Sequence, residues 1–418
     1  MNKMPPIDRL ISATRLNVTA RVTPKLYETT ILRLKFIAEQ LGLPLDVKVV
    51  YSSSRRVEHV TVSGMVWLIY DQYLGQTMNM LNRLFIEAED ARPSLVYLHK
   101  VLAERLVEVG QFANALHCAS AYHSSREVLR SRSSDYAWRN VLTKTHERFL
   151  LYHEFGHRIF SNPALMPVKR EHVQFLIQHQ AQVTRRPLKA ILRAMRKAPL
   201  LALNHQNLKA AIRDLRLEYE SEEGRHFRQA QLSSLAQSQT EEEVFCDVFA
   251  SDFVLIEALN DGDDLIEVLR ALYVGFYHLQ ALEYLRRFPS LTSDSTDWLT
   301  DNMPHIQLRS HCLRAHLIFL YQTELRVKQQ LDDNLVADKV RAFEIQLMED
   351  QKRHYDVIYD SAIRLCYSLR LNDKLPELGR ETMATLQAGL QDSQSASTQL
   401  PTDDELRKII LILTGWLP

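Results

Sequence analysis

Glycine is scarce in this sequence, and its scarcity limits the possible fold classes. Only 11 of the 418 residues are Gly, and clusters of Gly and Pro that would mark tight turns are rare. An all-β fold needs many such turns, whereas long helices need few. We therefore predict a mainly α (α+β) fold, with one small antiparallel sheet and a helical C-terminal region.

Cysteine pairs and long apolar runs are also lacking. The four cysteines (Cys118, Cys246, Cys312, Cys366) form no CxxC pair, which argues against a disulfide framework and suits a reducing compartment. No apolar stretch of about 18 residues is present, and the N-terminus shows no signal-peptide pattern. We expect a cytoplasmic protein with no membrane-spanning segment.

Neither charge sign is in excess. Lys+Arg and Asp+Glu both number 51, so the net charge is zero. A neutral chain has no general attraction to nucleic acid or to an anionic membrane. We therefore expect neither as a partner.

Strand-like segments are confined to the first 70 residues. Asp46–Tyr51 is short and β-branched, and Val60–Tyr70 contains one or two strands around Gly64. Residues 1–24 are predicted to be irregular or peripheral. From Asp71 onward the apolar periodicity is helical, including helices at Tyr136–Phe160, Glu241–Asn260 and Leu265–Phe288.

One stretch in the helix at Tyr136–Phe160 carries a chemical motif. His153, Glu154 and His157 form a His-Glu-x-x-His pattern, which is a signature of zinc metalloproteases. Two histidines four residues apart lie on one helix face and can bind the same Zn²⁺, and the Glu is placed to act as a general base. The alternative is a partly exposed helix with two ordinary histidines.

A second helix offers a third ligand. Glu243 and Asp247 lie four residues apart on the helix at Glu241–Asn260, on a side distinct from its apolar positions. Glu243 can bind the metal while Asp247 accepts a hydrogen bond from the far nitrogen of a ligand histidine. Glu241 and Glu242 are adjacent, but only Glu243 is followed by an Asp four residues on. We interpret Cys246 as a packing residue.

The two motifs together resemble the gluzincin metallopeptidases. The segment Glu243–Ala250 also resembles the second motif of the ImmA/IrrE-like zincins, and the general plan is more loosely similar to Lit-type phage-exclusion peptidases. The resemblance implies a zincin-like core in which His153, His157 and Glu243 bind Zn²⁺ and Glu154 is the catalytic base. It also implies Asp247 as the partner of a ligand histidine, and a bacterial enzyme acting in regulation or phage defence.

Two features depart from these families. His157 and Glu243 are 86 residues apart, which is longer than in compact members, so the intervening insert can shape or block the cleft. Asp247 stands where ImmA-like zincins usually have Asn, which favours the general gluzincin interpretation. The C-terminal third of the chain lies outside the resemblance.

No motif in the sequence selects a single residue to stabilise the oxyanion. Tyr273, Tyr277 and His278 lie on the helix that follows the proposed ligand helix, and any of them is a candidate. The alternative is that they form an aromatic stripe in the core.

The resulting domain prediction has four parts. Residues 1–290 form the metallopeptidase domain, with a helical insert at 164–240, and 305–386 form a helical domain. Residues 387–403 form a flexible linker, and 404–418 form an apolar helix that docks on this chain or on a partner.

We expect a zinc-dependent endopeptidase that cuts one or few intracellular proteins, with Glu154 activating a zinc-bound water. The alternative from another class is a latent or non-catalytic zinc-containing helical sensor, with the C-terminal helices binding a regulatory protein. Metal-dependent hydrolysis of a small molecule is a third possibility.

Overall fold

Helices account for most of the chain, and the predicted mainly α fold with one small sheet is confirmed. The computed structural model describes residues 5–15, 18, 25–130, 135–197, 205–288, 298–371, 381–382 and 402–416. The α-helices are α1 (Pro6–Thr14), α2 (Lys25–Gln40), α3 (Gln72–Glu87), α4 (Arg92–Glu108), α5 (Phe112–Ser125), α6 (Tyr136–Phe160), α7 (Pro167–Thr184), α8 (Leu188–Lys197), α9 (His205–Glu220), α10 (Glu222–Leu235), α11 (Ser238–Asn260), α12 (Leu265–Arg287), α13 (Trp298–Thr323), α14 (Asp333–His354), α15 (Asp360–Leu371) and α16 (Asp403–Leu413). A 3₁₀ turn covers Arg126–Leu129, and π-helical turns cover Glu324–Lys328 and Tyr355–Tyr359.

The sheet is mixed, so the prediction of an antiparallel sheet was wrong in part. Its strands are β1 (Leu45–Val50), β2 (Val57–Val62) and β3 (Met65–Asp71), in the order β1-β3-β2. β2 and β3 form an antiparallel hairpin whose turn residues Ser63 and Gly64 both have positive φ, as tight hairpin turns require. β1 pairs in parallel with β3, because the loop after β1 carries the chain to the far side of β3 before β2 begins.

Helix bounds agree closely with the sequence pattern except near the N-terminus. α6 has the predicted bounds, and α11 begins at Ser238 instead of Glu241. The prediction that residues 1–24 are irregular was wrong for α1, whose Ile7 and Ile11 are buried. They pack with Val50 and Ile69, so this short helix covers one face of the sheet.

The chain forms two compact units. Unit 1 comprises Met1–Phe155, Ala250–Ser293 and Leu331–Pro418. It contains the sheet with α1 and α2, the α4–α5 pair, and α12 packed against α14. Unit 2 comprises Gly156–Phe249 and Asp294–Gln330, and in it α7, α10 and α13 pack against one another.

The predicted domain division stays a prediction. Residues 305–386 contribute to both units, and 387–401 lie outside the described residues. α16 packs against α4 and α5 with Leu406, Ile410 and Leu411 buried, so its apolar face docks on this chain. Among the described helices, none combines the length and apolarity needed to cross a membrane.

Three buried histidines occupy the core of unit 1. His146 Nε2 lies 2.8 Å from the carbonyl oxygen of Ala271, and His278 Nδ1 lies 2.8 Å from His354 Nε2. Burial lowers the pKa of His146 to about 4 and that of His354 to about 3, and it also lowers the pKa of His278. The fold therefore holds all three as neutral rings at neutral pH.

These histidines make the fold sensitive to acid. In the unfolded chain a histidine titrates near pH 6.5, so below that pH the unfolded state binds protons that the folded state does not bind. Each depressed pKa therefore lowers the free energy of unfolding as the pH falls, by about 1.5 kcal/mol between pH 6.5 and pH 5. Glu147 has the opposite effect, because burial raises its pKa to about 7. The folded protein therefore binds a proton there at a pH where the unfolded chain does not, and this raises the free energy of unfolding as the pH falls.

We predict opposite changes in this pH dependence for two variants. His354→Leu removes one depressed histidine, so less free energy of unfolding is lost between pH 6.5 and pH 5. Glu147→Gln removes the compensating carboxyl, so more is lost. Urea unfolding of metal-free protein at the two pH values measures both changes, and equal losses in wild type and both variants would contradict this account.

Candidate metal centre

α6 presents both histidines of the motif on one face. His153 and His157 lie four residues apart near the C-terminal end of this 25-residue helix. Both rings are partly buried, so they are neither core residues nor freely exposed. The helical periodicity alone therefore brings two imidazoles to one place.

α11 runs antiparallel to α6, as a series of contacts along the two helices shows. The rings of Phe160 and Phe245 lie 5.4 Å apart, and those of Tyr152 and Phe253 lie 5.3 Å apart. Further towards the start of α6, Arg148 Nε lies 3.0 Å from Glu257 Oε2. These contacts fix the register of the two helices, and the register decides which α11 residues lie level with the histidines.

A glycine allows the two backbones to approach closely. A methyl group added at Gly156 would lie 3.0 Å from Cys246 Cα and 3.1 Å from its Sγ. Cys246 is fully buried, which confirms its interpretation as a packing residue. Because a backbone atom limits the space, even an alanine at position 156 requires the neighbouring helix to shift by a few tenths of an ångström.

Close packing brings the third predicted ligand to the histidines. One ligand atom from each of His153, His157 and Glu243 lies within 4.8 Å of the others, and no other such group of His, Cys, Asp or Glu occurs among the residues the structure describes. Two imidazoles and one carboxylate are a ligand set found in catalytic zinc sites, which keep a fourth position open. The donors therefore fit zinc, although tetrahedral binding needs ligand atoms about 3.3 Å apart and hence small side-chain rotations.

Glu242 orients one of these histidines. His157 Nδ1 lies 2.8 Å from Glu242 Oε1, while its Nε2 lies 4.0 Å from Glu243 Oε1. A carboxylate at Nδ1 favours the tautomer that carries its proton there, which leaves the Nε2 lone pair for a metal. Sequence reasoning missed Glu242 because nothing but its adjacency to Glu243 distinguishes it.

Arg309 on α13 binds both carboxylates of the second motif. Its Nε and Nη2 donate to the two oxygens of Asp247 at 2.9 and 2.8 Å, and its Nη1 lies 2.7 Å from Glu243 Oε2. Burial would lower the pKa of Arg309, but Asp247 and Glu243 outweigh burial and raise it. The role predicted for Asp247, as partner of a ligand histidine, stays a prediction. No motif in the sequence marks Arg309.

Glu154 lies beside a histidine from the sheet. His59 on β2 places its Nδ1 3.6 Å from Glu154 Oε2, and both side chains are partly exposed. The proposed general base is therefore accessible to solvent. The alternating pattern of β2 predicts which residues share a face of the sheet, but it does not predict what lies opposite that face.

The three candidates for oxyanion stabilisation lie in the core of unit 1. Tyr273 and Tyr277 have their hydroxyl oxygens 3.0 Å apart, and His278 is bonded to His354 and Asn82. All three are buried, with His278 fully so. This arrangement matches the alternative of an aromatic core stripe, and their role in catalysis stays a prediction without support from their placement.

Comparisons with known proteins leave the family open. No protein-family model matches the chain, and searches against curated proteins and against solved structures give no match. The gluzincin resemblance therefore depends on the two sequence motifs alone.

We predict that Gly156→Ala weakens metal binding. Alanine favours an exposed helix by about 1 kcal/mol over glycine. Here the added methyl group would lie 3.0 Å from Cys246 Cα, so α11 must shift slightly away from α6. Zinc affinity should fall at least tenfold and the melting temperature should drop. Asn140→Ala, at an exposed position of the same helix, is the control and should change neither. Unchanged zinc affinity in Gly156→Ala would show that close helix packing does not shape the centre.

The adjacent glutamates allow a second, sharper comparison. Glu242→Ala removes the partner of His157 Nδ1, and loss of such a partner typically costs about 10- to 100-fold in metal affinity. Glu241→Ala removes only a 3.3 Å contact with Gln174 and should leave affinity unchanged. Titration of metal-free protein against a chromophoric zinc chelator measures both, and equal effects would refute the assignment.

Proposed function

We propose that this protein is a zinc-dependent endopeptidase that hydrolyses one or few protein substrates. The observation that carries the proposal is the convergence of His153, His157 and Glu243, with Glu154 next to the first histidine on the same helix. This arrangement unites a three-ligand metal centre with an accessible carboxylate, which are the two parts that metal-assisted hydrolysis needs.

The proposed reaction uses Glu154 twice. A zinc ion held by the three ligands would polarise the scissile carbonyl and make water more acidic. Glu154 takes one proton from the attacking water as the new carbon–oxygen bond forms. It then gives that proton to the amine nitrogen as the carbon–nitrogen bond breaks, so the carboxylate is restored at the end of the cycle.

The sheet favours a peptide over a small molecule as substrate. β2 is an edge strand, so one row of its backbone groups is not used within the sheet. The same strand carries His59 beside Glu154. An extended peptide can pair with such an edge strand, and this pairing would bring its backbone to the strand that contacts Glu154.

Cellular location and partners belong to the same proposal. None of the four cysteines forms a disulfide, and all four are buried, which suits a reducing cytoplasm. The C-terminal helices α14 and α15 and the π-helical turn between them expose Leu335, Met348, Tyr355 and Tyr367. We propose these residues as the contact for a regulatory protein partner.

A latent or non-catalytic zinc-containing protein is the second candidate. The contact that favours it is Arg309 Nη1 at 2.7 Å from Glu243 Oε2, because it gives the ligand carboxylate a cationic partner other than a metal. In that case zinc would stabilise the packing of the helices or report the availability of zinc in the cell. Glu154 would then not be needed for function.

We predict that Glu154→Gln abolishes cleavage but keeps zinc, because Gln cannot take the proton and the three ligands are intact. His153→Ala should lose both zinc and cleavage. The measurement compares protein fragments in cells that express wild type or either variant, together with the zinc content of each purified protein. Fragments formed equally by wild type and Glu154→Gln would refute the peptidase and favour the second candidate.

A further inference from the structure

His59 lies on the face of the sheet that is turned towards α6. Side chains alternate along a strand, and Val60 and Val62 pack on the opposite face with the α1 core. His59 is paired in register with Leu68 of β3, so the two share a face with Tyr70 two residues further along. This is the face on which Tyr70 approaches Glu147 of α6.

Glu154 lies on the same side of α6 as Glu147, about two helical turns further along. Glu147 and Glu154 are seven residues apart, which places both on one side of the helix. Glu147 accepts a hydrogen bond from Tyr27 at 2.8 Å, and the ring of Tyr27 lies 5.1 Å from that of Tyr70. Glu154 meets the sheet at His59, with 3.6 Å between Nδ1 and Oε2. The pairing of His59 with Glu154 therefore follows from the packing of the helix on the sheet.

The residues flanking His59 hold its backbone in place. Arg15, whose side chain is fully buried, lies 2.8 Å from Glu58 Oε1 through Nη2. Its Nη1 donates to the carbonyl oxygen of Arg56 at 3.0 Å and also bonds Asp71 at 3.2 Å. A charged group buried in this way is costly to move, so β2 presents His59 from a fixed position.

An imidazole at this point can fix the orientation of a catalytic carboxylate. A separation of 3.6 Å is slightly longer than a hydrogen bond, and such contacts often shorten when substrate is bound. A ring N–H that binds one carboxylate oxygen leaves the other oxygen to accept the proton of water. The carboxylate then loses less rotational freedom on reaching the transition state.

We propose that His59 is a positioning residue for the general base, donating its Nδ1–H to Glu154 Oε2 and leaving Oε1 to receive the proton. The inference rests on the proposed peptidase function, and it adds a residue from the sheet to a centre otherwise built from helices.

Three substitutions at position 59 test the donor. His59→Ala removes it, His59→Asn places an amide N–H close to where Nδ1 lies, and His59→Gln carries its amide one bond further out. With zinc-loaded protein and a mixture of internally quenched peptides, His59→Ala should lower kcat about 10- to 100-fold with KM within twofold of wild type. His59→Asn should recover most of the loss, and His59→Gln less. His123→Ala, at an exposed histidine of α5, is the control and should match wild type.

A second measurement does not need activity. In metal-free, full-length protein with ¹³C-labelled histidine rings, Glu154→Gln should shift the ring signal of His59 and leave that of His123 in place. A His59 signal that does not change would overturn the contact, and a wild-type kcat in His59→Ala would overturn the positioning role. Loss of zinc in proportion to activity in His59→Ala would overturn positioning in favour of a structural role. If the shift is seen but the zinc-loaded wild type cleaves no peptide and forms no fragment in cells, the contact is supported and the peptidase function fails.

Discussion

The close approach of α11 to α6 at Gly156 is the constraint on which the candidate centre depends. A metal centre built on two helices needs its ligands a few ångströms apart, and ordinary side chains keep helix axes about 8–10 Å apart. At Gly156 the absent side chain lets the Cys246 backbone come near, so Glu243 lies within reach of His157. The glycine in this motif therefore has a steric role distinct from the chemistry of its neighbours.

Packing at this distance concentrates negative charge, and Arg309 relieves part of it. Glu242, Glu243 and Asp247 lie close together near the start of α11, and Asp247 is almost fully buried. Arg309 pairs with Glu243 and Asp247, and a metal would supply further positive charge. Arg309 thus places a positive charge beside both carboxylates. The same contact would weaken the binding of a metal to Glu243 relative to an unpaired glutamate.

Local rules were sufficient for part of this centre. Helical periodicity placed His153 and His157 on one face of α6, and the spacing of Glu243 and Asp247 identified the helix that carries the third candidate ligand. Contacts between distant segments were not predictable in this way. The parallel pairing of β1 with β3, the pairing of Arg309 with Asp247 and the orientation of His157 by Glu242 all arise from tertiary packing. A short helix such as α1 carries too few residues for its periodicity to be decisive.

Zinc K-edge X-ray absorption of the zinc-loaded protein tests the central claim most directly, because it reports the ligand atoms themselves. The account predicts one zinc per chain bound by two imidazole nitrogens and oxygen ligands at about 2.0–2.1 Å, with no sulfur. Oxygen should supply the remaining positions, from Glu243 and water. A zinc–sulfur distance near 2.3 Å, or a spectrum without imidazole scattering, would contradict it.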